Sequence, residues 1–429
     1  MTIALLFGTL FVCLLIGVPI AIALGVSALT AIYFGTTLPL SIITQKAFTS
    51  LDSFPLLAIP FFMLAGILMG KGGVSKRLLA FAASLVGWMT GGLGMVTIVA
   101  CMFFAAISGS GPATVAAIGG FMIPAMVARK YDGGFASAVA AAAGSIGVII
   151  PPSIPFVLYG VIGGVSVGSM FLAGIIPGII IGSGLLLTAY IISKKRGYKP
   201  EPGKDSTFKF KDVLVTFWDA KWALLIPVII LGGIYGGIFS PTEAAVVAVV
   251  YAIIIGKFVY KELTWQGLYE SFRQAIVINS TTMIIIGLSV SFAYFMTIEQ
   301  IPGEISDYLT ALSSNPLVIL LAINLLLLVV GMFIDTISAL VVLTPILLPI
   351  VVTVGVDPVH FGVILVANLA IGFVTPPLGV NLFVASSVGG VRFEKIAFAV
   401  IPFLLSMIVC LLIITFIPAL SLWLPGLYE

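Results

Sequence analysis

Of 429 residues, 61% are apolar and 8% charged, against roughly 25% charged in soluble domains, so an ordinary soluble fold is excluded. Nineteen Lys and Arg against 16 Asp and Glu leave a formal charge of +3, which gives no ground for a nucleic-acid partner. The composition is that of an integral membrane protein set in a lipid bilayer, and the placement of its charges carries more information than their sum.

The first apolar run begins almost at once, with no basic residue before Ile3. It reads as a membrane helix, since a cleaved signal peptide has a charged start. Lys and Arg collect at 71–77, 129–130, 194–221, 257–273 and 392–395, and the positive-inside rule makes those loops cytoplasmic. The stretch 299–316 carries Glu299, Glu304 and Asp307 but no Lys or Arg and falls on the opposite side. A first helical hairpin turns at Gly17-Val18-Pro19, which places the N-terminus outside. A helix over 55–70 then runs inward, and an amphipathic piece follows around Leu78 to Met89.

Two runs too short to span separately come next. About fifteen residues from Leu93 rise about 1.5 Å each, enough to reach mid-membrane. The tip Ser108-Gly109-Ser110-Gly111-Pro112 turns the chain, and Ala113 to Ala128 brings it back to Arg129 and Lys130. This predicts a re-entrant hairpin over 93–128. A helix from about Phe135 breaks at Pro151-Pro152, because proline removes a backbone donor and clashes with the preceding turn. It continues from Ser153, giving a broken helix over 135–168. The first repeat thus covers 1–193, with a scaffold hairpin and an arm ahead of these parts.

A cytoplasmic linker with an amphipathic helix occupies 194–221. That helix shows the face Phe210, Val213, Leu214, Phe217 and Trp218. The second repeat, 222–429, opens on a hairpin at Ser240-Pro241-Thr242. Trp265, Leu268, Tyr269 and Phe272 beside Lys261 and Arg273 predict an interfacial helix lying flat, followed by an outward helix over 275–298. An amphipathic segment with Ile301, Ile305, Tyr308 and Leu312 is expected on the outer face. A second hairpin, 316–354, has its tip near Asp335-Thr336. A second broken helix, 358–390, is interrupted at Pro376-Pro377 and leads to a C-terminal helix.

The two halves match at their interruptions. Ile146-Gly147-Val148-Ile149-Ile150-Pro151-Pro152 and Ile371-Gly372-Phe373-Val374-Thr375-Pro376-Pro377 agree at four of seven positions. So do Met102-Phe103-Phe104-Ala105-Ala106-Ile107-Ser108 and Met332-Phe333-Ile334-Asp335-Thr336-Ile337-Ser338. Paired interruptions in corresponding halves are the best sequence pointer to a transporter's binding site.

Irregular backbone at membrane depth needs protein or a water-lined cavity to satisfy it, and each break exposes carbonyls on one side and N–H groups on the other. The tip Ser108 to Thr114 beside the break Ile149 to Ser153 offers one sodium site of hydroxyl and carbonyl oxygens. The tip Gly331 to Ser338 beside Val374 to Asn381 offers a second. Such oxygen ligands suit a hard cation. Asp335 is the one acid placed deep in the membrane, a costly position that reads as functional. It either binds or tunes sodium, or is an acid satisfied by nearby N–H and hydroxyl groups that merely fixes the hairpin tip. Either Ser110 and Thr114 hydrogen-bond an anionic solute, or Ser108-Gly109-Ser110-Gly111 is only a tight turn that needs glycine; Asn381 is either a solute contact or a core amide. Cys13, Cys101 and Cys410 lie far apart in apolar runs and read as packing residues, with neither metal spacing nor disulfide context. No glycine-rich loop ending in Lys-Ser or Lys-Thr points to nucleotide use. An intramembrane hydrolase with Ser110 as nucleophile is disfavoured, because the sole histidine, His360, falls near the outer end of its helix; neither a catalytic residue nor a transition metal is expected.

At these residues the chain resembles the large membrane subunit of tripartite ATP-independent periplasmic (TRAP) transporters, over nearly its whole length. The resemblance implies an all-α, inverted-repeat, elevator-type transporter of the bacterial inner membrane, with two re-entrant hairpins and two Pro-Pro-broken helices. It implies sodium as coupling ion and no other cofactor, a small four-helix membrane subunit, and a periplasmic substrate-binding protein that delivers an organic acid. Carried onto this sequence, the sodium ligands are Ser108, Ser110, Gly111, Ile150, Pro151 and Ser153, then Gly331, Asp335, Thr336, Ser338, Thr375 and Pro376. The candidate substrate contacts, read from the residues themselves, are Ser110, Thr114, Asp335 and Asn381. Sialic acid is the favoured substrate and a C4-dicarboxylate the next. The alternative is a self-sufficient sodium-coupled anion carrier of similar architecture.

Overall fold

The computed structural model describes residues 2–198, 207–301, 303–304 and 315–428. All regular structure among them is helical. Nine helices among the described residues are long and apolar enough to cross a membrane.

In chain order, α1 (Thr2–Leu15) and α2 (Ile20–Gly35) form the first hairpin, followed by α3 (Ser41–Leu51), α4 (Ala58–Lys71) and α5 (Val74–Val86). The first tip-bearing hairpin is α6 (Gly92–Ser108), α7 (Gly111–Thr114), a π-helical turn at 115–119 and α8 (Gly120–Ala128). Then come α9 (Gly133–Ser145), α10 (Ile154–Gly163) and the long α11 (Val167–Arg196). The second half has α12 (Phe210–Tyr235), α13 (Pro241–Ile254) and α14 (Trp265–Ile298). Its hairpin is α15 (Pro316–Phe333) and α16 (Thr336–Thr353), its broken helix α17 (Pro358–Gly372) and α18 (Val380–Gly389), and α19 (Phe393–Phe416) follows. The succession of hairpin, tip, return limb, helix, break and helix therefore occurs twice.

Two groups of helices result. In the outer one, α14 packs on α2, α3 and α4, α4 on α13, and α12 on α5 and α13. In the inner one, α9 packs on α6, α8, α18 and α19, while α17 packs on α11, α15 and α16. The groups meet where α14 lies on α16, where α4 lies on α6 and α10, and where α5 lies on α6. Lipid offers helices no hydrophobic drive to associate, so small side chains that admit close approach decide where they pack. Helix α9 shows this: Ala136, Ala138, Ala140 to Ala143 and Gly144 are all buried. A Cβ added to Gly144 would lie 2.1 Å from the Val115 side chain, so the first hairpin is seated on a glycine surface.

Several helix starts are closed by side-chain caps. Asp132 accepts from Phe135 N–H, Ser153 from Phe156 N–H and Asp357 from Val359 and His360 N–H. Each satisfies a donor that the helix cannot.

Two predicted helix ends are not seen. The flat interfacial helix at 265–273 and the outward helix at 275–298 are a single helix of 34 residues, α14. Thr264 caps its start, accepting from Gly267 N–H at 3.0 Å. Neither Gly nor Pro interrupts it between Leu268 and Ile286, so nothing local ends the helix there. The face at Phe210 to Trp218 likewise continues into the 26-residue α12. The amphipathic segment expected around Ile305, Tyr308 and Leu312 lies outside the described residues. The three cysteines are free and buried.

Candidate functional site

Both tips and both breaks converge on one cavity of about 430 Å³. Ser108 to Ala113 reach it from the first tip and Asp335, Thr336 and Ile337 from the second. Val148, Ile154 and Pro155 border it from the first break, and Phe373, Val380 and Val384 from the second. The far wall comes from the outer group: Met63, Gly66 and Ile67 of α4, and Gln274, Ile278 and Thr282 of α14. Among these described lining residues no Lys, Arg or His occurs, and Asp335 is the one acid. A larger cavity, about 560 Å³, lies between the α10–α11 turn, the α12–α13 turn and the C-terminal residues Pro425 and Tyr428. It touches neither tip.

At the first tip, the Ser108 and Thr114 hydroxyls are 2.8 Å apart, and Thr114 Oγ1 donates to the Ser110 carbonyl at 2.8 Å. Gly109 takes φ +60° and its carbonyl accepts from Ile154 N–H across the break at 3.4 Å. A Cβ on Gly109 would come within 2.9 Å of the Pro152 carbonyl oxygen, so tip and break fit only through this glycine. Ser153 Oγ donates to the Val148 carbonyl. A Cβ on Gly147 would lie 2.6 Å from Thr114 Oγ1 and 2.7 Å from the Ser110 carbonyl oxygen. Hydroxyl and carbonyl oxygens of Ser108, Ser110, Thr114, Val148, Pro152 and Ser153 are thus gathered in one small region. That donor set suits sodium.

At the second tip, Asp335 caps α16: its Oδ2 accepts from Ser338 N–H at 3.0 Å and its Oδ1 from Ser338 Oγ at 2.6 Å. The carboxylate keeps free lone pairs and is on the cavity wall. The Thr336 hydroxyl is buried with no hydrogen-bond partner. Thr375 Oγ1 donates to the Ile371 carbonyl at 2.8 Å, and Pro376 follows it at the break. Gly331 meets Gly372 backbone to backbone. A Cβ on Gly111 would lie 3.0 Å from the Phe373 ring of the second break, and one on Gly178 of α11 would meet the Ile150 side chain; Pro151 follows Ile150 in the first break.

Asn381 does not line the cavity. Its side chain is fully buried and donates to the Ala141 carbonyl and to Ser145 Oγ, both at 3.1 Å, while its Oδ1 has no partner. His360 is also buried, with Nε2 at 3.2 Å from the Thr415 carbonyl oxygen, and Ser110 is not among its hydrogen-bond partners. Sequence reading missed Gln274 and Thr282, because polar residues on a long scaffold helix carry no motif. It also missed the buried set Asn324, Asn368 and Thr415, joined by bonds of 2.6 and 3.1 Å.

Residues 7–420 match the model of the family described as tripartite ATP-independent periplasmic transporter, DctM component. The chain is 51% identical over 98% of its length to the isethionate TRAP transporter permease protein DctMQ of Oleidesulfovibrio alaskensis, covering 66% of that longer protein. It is 39% identical to the C4-dicarboxylate TRAP transporter large permease protein DctM of Vibrio cholerae, over 100% of this chain and 98% of the relative. With the sialic acid TRAP transporter large permease protein SiaM of the same organism it shares 40% identity over 96% of each chain. In fold it is similar to the YdaH transporter of Alcanivorax borkumensis, with a TM-score of 0.59, 14% identity and 89% of each chain covered.

Proposed function

Because the chain belongs to the DctM component family of TRAP transporters, and is with it a multi-pass inner-membrane transport protein rather than an enzyme, we propose that it imports an organic acid anion by sodium symport. A small membrane subunit accompanies it, and a periplasmic binding protein delivers the solute. The observation that carries this reading is the cavity itself, bordered by two oxygen-rich tip-break junctions and by no basic side chain among the described residues.

An anion entering that cavity meets the Asp335 carboxylate. Two like charges about 4 Å apart repel by about 4 kcal/mol at an effective dielectric of 20. A cation held by Ser108, Ser110, Thr114 and the break carbonyls, and another near Asp335, Thr336 and Thr375, would reverse the sign of that field. The tip N–H groups then receive the anion's oxygens. Binding of the solute thus depends on prior binding of sodium, which is what coupling requires. Each sodium carried inward gains roughly 2.3 kcal/mol per 100 mV.

The two helix groups meeting at the cavity support an elevator movement, in which the inner group carries both sites past the wall formed by α4 and α14. The family resemblance leans to sialic acid, yet the polar side chains on the wall are few: Gln274, Thr282, Ser108, Ser110, Asp335 and Thr336. A compact sulfonate such as isethionate needs fewer partners than a polyhydroxylated sugar acid, and it is the substrate named for the relative at 51% identity. Isethionate is therefore the first probe, with sialic acid and succinate beside it.

The test is uptake of these radiolabelled acids into proteoliposomes containing the chain and its small-subunit partner, with and without binding protein and an inward sodium gradient. Uptake of one acid that needs both additions is the expected result. Uptake without binding protein would favour the self-sufficient carrier, and uptake indifferent to sodium would overturn symport.

A further inference from the structure

We infer that Asn381 is the positioning residue through which the two candidate cation sites act on each other. The inference rests on the sodium reading above and names what makes the two sites one unit.

The contacts run in an unbroken series. Tip 2 meets break 2 where Gly331 packs on Gly372. Break 2 meets tip 1 through Phe373, whose ring would lie 3.0 Å from a Cβ added to Gly111, and through Asn381, whose Oδ1 would lie 3.4 Å from it. Tip 1 meets break 1 where Ile154 N–H donates to the Gly109 carbonyl. Asn381 is the one member of this series that bonds in both directions. Its backbone N–H closes break 2 by donating to the Phe373 carbonyl at 3.0 Å. Its side-chain NH₂ holds Ala141 and Ser145, in the last turns of α9 before break 1. These partners are 240 and 236 residues away in the chain.

A buried amide with both N–H groups committed and its oxygen unpartnered is costly to keep, and its geometry transmits displacement. When a cation draws in the break 2 carbonyls, Phe373 and Asn381 move together, and Asn381 moves the end of α9 that sets break 1. Linkage makes the effect reciprocal, and couplings of about 5-fold to 150-fold in affinity are ordinary.

The test is hydrogen exchange on the full chain in lipid nanodiscs, titrated with sodium chloride against choline chloride at constant ionic strength. Protection is followed separately for peptides covering 108–114 and 331–338. In the wild type both tips gain protection along one curve with a Hill coefficient above 1. In Asn381→Ala the curves separate and each flattens to a Hill coefficient of about 1. Ser145→Ala, which removes one acceptor and leaves Asn381 in place, shifts the curves in the same direction and decides the matter if Asn381→Ala does not fold. General destabilisation would lower protection at every sodium concentration without separating the curves. Tips that stay superimposed and steep in both variants would overturn the inference, as would independent curves in the wild type, and either result leaves the sodium reading standing. Tips indifferent to sodium in the wild type would overturn that reading and the inference with it.

Discussion

A Cβ added to Gly372 would lie 2.4 Å from the carbonyl oxygen of Gly331, so the second tip and the second break are in backbone contact that admits no side chain. Neither partner can swing aside as a side chain would. Gly372→Ala is expected to separate tip from break, cost about 1 to 3 kcal/mol of stability and abolish sodium-dependent uptake. Gly232→Ala is the control. It is helical, with nothing within 4 Å of the added carbon, and should be neutral or slightly stabilising. Thermal unfolding and uptake measured on both variants check the pair; equal effects would show that the close approach is not what matters.

Gly147 offers the matching experiment at the first site. Its added Cβ would sit 2.6 Å from Thr114 Oγ1 and 2.7 Å from the Ser110 carbonyl oxygen, among the atoms proposed to hold sodium. Gly147→Ala is expected to raise the sodium concentration for half-maximal uptake by at least about tenfold, equivalent to about 1.4 kcal/mol. Saturating sodium should restore part of the rate. An unchanged sodium dependence would remove Ser110 and Thr114 from the site.

The tips and breaks were legible in the sequence because their signals are local. Glycine at 109 and paired prolines at 151–152 and 376–377 each dictate backbone within a turn. The continuous α14 was not legible, since an aromatic face beside Lys and Arg describes a helix at an interface without saying whether it stops there. Gln274 was invisible for a related reason: its place on the cavity wall depends on how α14 packs against α16. The bonds from Asn381 to Ala141 and Ser145 span 240 and 236 residues, and no spacing rule reaches that far.

Acid stability should report the junction of the two halves at Asp132. Lys395 Nζ lies 2.6 Å from Asp132 Oδ2, and Arg196 Nη1 lies 3.7 Å from Oδ1. Partial burial pushes the Asp132 carboxyl up, but the hydrogen bonds from Lys395 and Phe135 N–H, with the charges of Lys395 and Arg196, outweigh it and hold the group below the ordinary carboxylate range. A depressed folded-state value means that the contribution is complete above the ordinary value and is lost as pH falls through the lower one. Asp132→Asn should therefore be less stable than the wild type near neutrality, with the difference shrinking below about pH 4. Melting temperatures of the two proteins from pH 7 to pH 3 check it, and a constant difference would count against the ion pair.

Asp335 has two roles that one substitution can separate. As a cap it accepts from Ser338 N–H and Oγ, work that asparagine can largely do, since Asn and Asp are equivalent at helix starts. As a charge beside the proposed second cation site it has no neutral substitute. Asp335→Asn should keep its melting temperature within a degree or two of the wild type in the absence of sodium, about the scatter of a neutral surface change. Asp335→Ala should lose about 1 kcal/mol with the cap. Both should lose sodium-coupled uptake to a similar extent, because both lack the carboxylate. If Asp335→Asn transports with unaltered sodium dependence while Asp335→Ala does not, the residue serves only to start α16, and the second cation would have to be held by the Thr336 and Thr375 hydroxyls and the break carbonyls alone.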